Sequence, residues 1–258
     1  MNAEGRIVLL AGRRESTNVV YHALADEFDI ARVIIEEPVA RVPFLKRRAK
    51  NVGLAKVIGQ VLFRAIVPPL LRAISRRRRR EIMQEYGLND APIPPEKVTH
   101  VASVNADETI ALLKALDPAV VVINGTRIIA SKVLTAIPAR FLNTHAGITP
   151  LYRGVHGAYW ALTEGDRAHA GVTVHFVDPG IDTGGILEQG RIEPTARDNF
   201  ATYPLLQLGV GLPLLRKAIR DVLEGRAEVK PAPEGASRLW VHPTLWEYVV
   251  GRVRRGVK

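Results

Sequence analysis

Asn143 and His145 flank a single threonine in F-L-N-T-H, at the end of a short apolar run, and Asp182 closes the turn-rich stretch D-P-G-I-D farther along. A carboxamide, an imidazole and a carboxylate are the groups that acyl transfer needs, since an oxyanion requires donors and a departing proton requires a carrier. Each also has a plainer reading. A lone loop histidine is usually solvated or structural, and D-P-G-I-D-T-G forms turns in any context, so Asp182 can serve simply as a cap. His175 and Thr173, inside the alternating run A-G-V-T-V-H-F-V, read as core residues or as support for a site. The chain has no cysteine, which excludes disulfides, thiolate catalysis and cysteine metal sites, and it points to a cytoplasmic setting.

The elements that must carry these residues follow an alternation of strand and helix. R-I-V-L-L-A (6–11) and I-A-R-V-I-I-E (30–36) are runs of branched apolar residues around a helix-compatible stretch at 18–28. The alternation resumes with a strand near 98–104, a helix at 107–116, the core strand A-V-V-V-I-N (119–124) and the short strand R-F-L-N (140–143). Strands with so few polar breaks belong to a parallel sheet covered on both faces. Beyond them, 154–164 reads as a helix, 170–177 and 185–192 as paired strands, and 198–223 as a long helix in which Pro204 and Pro213 mark a start or a kink. The fold class expected is α/β, a Rossmann-like, doubly wound, mainly parallel sheet with antiparallel C-terminal strands. Residues 1–224 form the main domain, with a basic helical insertion at 41–85, and 225–258 form a short appendage able to dock one helix. In such a sheet ligands collect at the carboxyl ends of the strands near the point where strand order reverses. That rule selects N-G-T-R-I-I and N-T-H-A-G-I-T-P-L-Y-R-G, and it sets Asn143 and His145 just past a strand end.

The formal charge of +10 suggests nucleic acid at first sight, but thirteen Lys and Arg fall between Arg41 and Arg80 with no Asp or Glu among them. The remainder of the chain is slightly acidic, so the basic character belongs to that segment. Within it Leu54, Val57, Ile58, Val61, Leu62, Ala65 and Ile66 have helical spacing, and a second run, 70–74, leads to five arginines. Arg64, Pro68, Pro69 and Arg72 interrupt the stretch, which therefore does not read as a span of the hydrocarbon core. An apolar face edged with cations suits peripheral contact with an anionic membrane, while a flap over the active-site edge with a solvated basic rim is the equal alternative. RNA contact lacks interleaved aromatics, Phe44 and Phe63 being the ones present. The start of the chain lacks the order of a secretory signal, and the setting expected is cytoplasmic, with the inner face of the membrane as an alternative.

F-L-N-T-H-A-G-I-T-P-L-Y-R-G resembles the N-x-H-x-S-L-L-P-x-x-x-G signature of the folate-dependent formyltransferases, and G-V-T-V-H-F-V-D-P-G-I-D-T-G-G-I-L resembles the strand and aspartate loop that follow it in that family. Linked motifs in this order, with N-G-T-R-I-I-A before them, cover roughly 119–193. The resemblance implies an enzyme that transfers the formyl group of 10-formyltetrahydrofolate, as co-substrate and without a metal, to a primary amine. It makes Asn143, His145 and Asp182 the catalytic trio. It also places the pterin ring between Thr126, Arg127, Ile128 and Ile129 on one side and Val177, Asp178, Gly180 and Ile181 on the other. Gly147 stands where the signature has Ser, and Thr149 where it has Leu, both expected against the folate pocket. Acceptor contacts are expected from the first loop, at Arg13, Arg14, Ser16 and Asn18. That loop lacks the second glycine of the G-x-G-S-N phosphate loop in glycinamide ribonucleotide formyltransferases, and the residues after Glu224 are too few for the C-terminal barrel of methionyl-tRNA formyltransferases. The acceptor expected is therefore an amino sugar, nucleotide-linked or lipid-linked. The alternatives are those two activities, hydrolysis of formyltetrahydrofolate, and a binding module for membrane or nucleic acid without catalysis.

Overall fold

The computed structural model describes residues 5–38 and 53–258. The expectations resting on Arg41, Phe44, Lys46, Arg47, Arg48 and Lys50 lie outside the described residues. The chain opens as β1 (Ile7–Gly12), α1 (Glu15–Ala25) and β2 (Ile30–Glu36), followed by the helical hairpin α2 (Leu54–Ile74) and α3 (Arg76–Glu85). Then come β3 (Val98–Val101), α4 (Asp107–Leu116), β4 (Val120–Asn124), α5 (Ser131–Leu134) and β5 (Arg140–His145). The last part holds β6 (Tyr152–Gly154), α6 (Gly157–Glu164), β7 (Gly171–Phe176), β8 (Ile186–Arg191), α7 (Tyr203–Leu223), β9 (Arg238–Trp240) and α8 (Leu245–Arg255).

The main sheet has the order β3-β2-β1-β4-β5-β7-β8. It is parallel through β5, and β7 and β8 join antiparallel. Both faces are covered, and the alternation of side chains along a strand decides which residue goes where. Ile7, Leu9 and Ala11 of β1 join one buried cluster with residues of α1, α2 and α7, while Val8 and Leu10 join the other with Leu113 of α4 and Val133 of α5. Strand order reverses between β1 and β4, so the crevice beyond Gly12, Asn124 and His145 is where a ligand belongs.

Several boundaries differ from the sequence reading, each for a packing reason. β5 runs on to His145, so Asn143 and His145 lie within the strand and not past its end. The extension follows from pairing with β7, in which Asn143 opposes His175 and His145 opposes Thr173. α6 begins at Gly157 because residues 152–154 pair with β9. α7 begins at Tyr203 because Asp198 is tied into the preceding turn, accepting from the Thr195 amide at 2.9 Å and the Thr195 hydroxyl at 2.8 Å.

α2 continues through Pro68 and Pro69 as a single helix, although neither proline can donate to the preceding turn. Its inner face is integral to the core: Phe63 packs edge-on against Phe200 with centroids 5.0 Å apart and tilts against Tyr248 at 5.5 Å. Gly59 is required where α8 crosses, since a Cβ there would stand 2.2 Å from the Trp246 ring. Two members of the arginine run that follows are structural. Arg78 forks onto Asp198 through Nε at 2.9 Å and NH2 at 3.1 Å, and Arg79 reaches Glu15 at 2.7 Å and the Ala201 carbonyl at 3.0 Å. The tail joins the same core, with Trp240 and Tyr248 buried beside α6 and α7. A capping box of Thr244 and Glu247 fixes the start of α8.

Candidate active site

β5 presents Asn143 and His145 two residues apart and therefore on one face of the sheet. The antiparallel partner β7 brings His175 opposite Asn143, and the loop after β7 returns Asp182 to the same place. The Asp182 carboxylate stands 3.3 Å from His145 Nδ1 and 3.9 Å from His175 Nε2. Asp182 itself sits in the left-handed region at φ 52°, uncommon for a residue with a side chain and of the kind found where the surrounding structure holds a functional group in place.

Hydrogen-bond accounting sets the state of each ring. His145 Nε2 lies 2.8 Å from the Tyr152 carbonyl, which can only accept, so Nε2 carries hydrogen. Nδ1 then faces the Asp182 carboxylate. His175 Nδ1 donates to the Phe176 carbonyl at 2.6 Å, leaving Nε2 to accept from the Asn143 amide at 3.1 Å. A neutral ring suits this role. Burial pushes the His175 pKa down, reinforced by neighbouring His145 and opposed by the Phe176 carbonyl and Asp182. His175 thus orients Asn143, whose second N–H stays available to a ligand.

β6 supports both partners. The Tyr152 carbonyl holds His145, and the Gly154 amide donates to Asp182 at 2.9 Å, while Arg153 donates to the Ile181 carbonyl at 3.1 Å. Gly147 and Thr149, expected against the folate pocket, are not among its lining residues. Gly147 instead clears the way for β6: a Cβ on it would lie 2.3 Å from the Tyr152 oxygen and 2.9 Å from His145 Nε2. Replacing Gly147→Ser, the residue usual in the signature, is expected to move that carbonyl and lower kcat by about a hundredfold, the cost of roughly 1 Å of misplacement. Steady-state kinetics beside a thermal melt checks this, and wild-type kcat in the variant refutes it.

The trio lines a cavity of about 530 Å³. One wall is the 125–129 loop and the other the 177–182 loop, so Thr126, Arg127, Ile128, Ile129, Val177, Asp178, Gly180 and Ile181 all line it. Ile123, Ile129, Val177 and Ile181 make the walls apolar, and Ile128 is 59% exposed at the same loop, a lining suited to a flat heteroaromatic ring. Arg127 has another task besides. Its guanidinium pairs with Glu36 at 2.6 Å, and its backbone amide donates to the same carboxylate at 2.6 Å, which fixes the loop. Asp178 shapes the other loop by accepting from the Gly180 amide at 3.0 Å and the Thr183 hydroxyl at 2.7 Å.

Of the residues expected to meet an acceptor, Arg14 and Ser16 line the cavity. Arg13 and Asn18 do not, and the Asn18 amide donates instead to the Asp90 carbonyl at 3.0 Å. Sequence reasoning missed Glu36 and His156. His156 lines the cavity at φ 59° and meets His242 of the tail at 2.9 Å. Its pKa is pushed down to about 3 by burial, then by His242, Arg14 and Arg64, so it is neutral near pH 7. A histidine before a helix start gives no sequence signal of this kind. Among the described residues no cluster of His, Asp and Glu has metal-binding geometry.

The doubly wound sheet carries a carboxamide, an imidazole and a carboxylate together at its carboxyl edge, group types suited to acyl transfer. The chain belongs to the formyl transferase family, whose profile, described as formyl transferase, matches residues 70–204, just over half of it. It is 29% identical over 167 residues to a methionyl-tRNA formyltransferase of Kosmotoga olearia, a match covering 64% of this chain and 50% of that one. Against the enzyme of that name from Anaeromyxobacter dehalogenans it is 37% identical over 141 residues, covering 54% and 42%. The chain thus spans about half the length of the curated relatives it matches. In fold it is similar to glycinamide ribonucleotide transformylase 1 from Symbiobacterium toebii, with TM-score 0.58 and 22% identity over 90% of this chain and 93% of that one. A sugar N-formyltransferase from Shewanella sp FDAARGOS_354 aligns with TM-score 0.54 and 16% identity over 89% and 74%.

Proposed function

We propose that the chain transfers the formyl group of 10-formyltetrahydrofolate to the primary amine of an amino sugar, nucleotide-linked or lipid-linked. The observation that carries this reading is the convergence of Asn143, His145 and Asp182 on one cavity wall, with Asp182 3.3 Å from His145. The amine nitrogen bonds to the formyl carbon while the carbonyl electrons move to oxygen. The second N–H of Asn143 is the donor available to that oxyanion, worth about 10²–10³ in rate, and His145 holds Asp182 beside it. Asp182 takes the proton released by the attacking nitrogen and returns it to the folate nitrogen as the bond from that nitrogen to the formyl carbon breaks.

The acceptor side of the cavity supports the choice of amine. Arg14 supplies one cation suited to a phosphate, while Ser16, Asn124 and Gln207 offer neutral polar groups beside Leu208, a lining that matches a hydroxylated ring. The test is consumption of 10-formyltetrahydrofolate by purified protein with a panel of amines: nucleotide-linked amino sugars, lipid-linked amino sugars, glycinamide ribonucleotide and methionyl-tRNA. Turnover is expected with an amino sugar and not in the absence of amine. Turnover with another acceptor alone overturns the choice of amine, and rapid turnover without any amine makes the chain a hydrolase.

A further inference from the structure

The outer face of α2 is apolar and, among the described residues, without a partner in the fold. Leu54, Ile58, Leu62, Ile66, Leu70 and Ile74 recur at every fourth position along the helix, and each is between 40% and 69% exposed. Such a ridge on a helix whose opposite face is packed packs against nothing among the described residues. α8 extends it. Where Trp246 crosses Gly59 the second helix brings Val249, Val250 and Val253 to the surface, which with Trp246 follow the i, i+3, i+4, i+7 spacing of one stripe.

The charges around this surface are mainly of one sign, with Glu164 an acid that shares a groove with Trp246, Val250, Arg254 and Arg255. No acidic residue occurs between 41 and 80, and among the described residues no carboxylate pairs with Arg72, Arg76 or Arg80. On α8 the last turn carries Arg252, Arg254 and Arg255, while the acid in its first turn, Glu247, is occupied by the capping box. A second copy of the chain laid on this surface would oppose these cations to their own kind. An anionic lipid surface meets both demands, taking the ridge into its acyl boundary and the guanidinium groups into its headgroups.

We infer that α2 and α8 form a platform that docks the protein on the surface of an anionic bilayer. α2 is long and apolar enough to cross a membrane by length and composition alone, but its inner face rules out spanning. Phe63, Val67 and Leu71 are buried in the core, and the Gln60 amide donates to the His242 carbonyl at 2.7 Å. The helix therefore lies along the interface. It also adjoins the cavity, since Arg64 on its flank acts electrostatically on His156 and Gln60 holds the His242 segment that meets it.

The experiment is co-sedimentation of the full chain with phosphatidylcholine vesicles, with and without phosphatidylglycerol. Wild type is expected to partition at least about tenfold more strongly onto vesicles containing phosphatidylglycerol, and added salt to weaken this. Ile58→Asp/Leu62→Asp/Ile66→Asp alters exposed positions only, so its melting temperature should match wild type while its partition falls at least about tenfold. Arg72→Gln/Arg76→Gln should keep the fold and lose the preference for anionic lipid. Equal partition onto both vesicle types, undiminished binding by the triple variant, or self-association of wild type that the triple variant abolishes would each overturn the inference, as would sedimentation with tRNA in place of vesicles.

Discussion

Asp182→Asn should lower kcat by roughly 10² to 10⁴, the range for losing a positioned proton carrier, while leaving the affinity for the folate donor nearly unchanged. The substitution is chosen for its backbone. Position 182 holds φ 52°, a conformation that asparagine adopts readily and alanine does not, so the loop should persist. The new amide oxygen can stand where Oδ2 does and still accept from the Gly154 N–H, which keeps the loop anchored. What disappears is the carboxylate that takes a proton from the attacking amine. Pre-steady-state measurement of formyl transfer, with donor binding followed separately by fluorescence, distinguishes the two effects. An Asn variant of near wild-type kcat would remove Asp182 from the reaction. Because His145 and Asp182 are in contact and act as a unit, adding His145→Ala to Asp182→Asn should cost little more than the worse single change.

Arg78→Met should cost about 3–5 kcal/mol of stability, the usual penalty for stranding one member of a buried ion pair. The Asp198 side chain is 0% exposed and that of Arg78 15%. Burial alone would raise the Asp198 carboxyl, yet hydrogen bonds from Arg78 and Thr195 hold it below the ordinary carboxylate range. A depressed folded-state pKa contributes stability that is present above the unfolded value and lost as pH falls through the folded one. The gap between wild type and variant should therefore be widest near neutrality and close under acid. Thermal melts at several pH values test this, with a drop on the order of 10 °C expected near pH 7. A gap independent of pH would mean that Arg78 acts by packing and not by charge.

The strands of the main sheet were legible in the sequence because buried parallel strands need uninterrupted runs such as V-V-V-I, whereas β6 and β9, three residues each, carried no such run. The motif residues were legible as a set, since the resemblance linked Asn143, His145 and Asp182 before any distance was known. Other features were hidden because they depend on contacts distant in sequence. His145 falls within β5 only because β7 pairs with it, and the arginine run reads as a solvated block until Asp198 and Glu15 are seen to hold Arg78 and Arg79. The orientation of Arg127 toward Glu36 could not be read from N-G-T-R, which gives no hint of the buried acid at the end of β2. The outward ridge on α2 is a case of a different kind. Helical spacing identified the apolar residues, but it could not say which of two apolar faces the core would take.

The strand β6 sets the spacing between the imidazole of His145 and the carboxylate of Asp182. Tyr152 grips the imidazole and Gly154 the carboxylate, so a two-residue step of extended backbone serves as the gauge for the pair, and that gauge is clamped by residues 238–240. A deletion that removed Arg238–Trp240 would thus leave every reacting group in the chain yet uncouple their alignment. Chemistry written near the middle of the sequence is calibrated from its end.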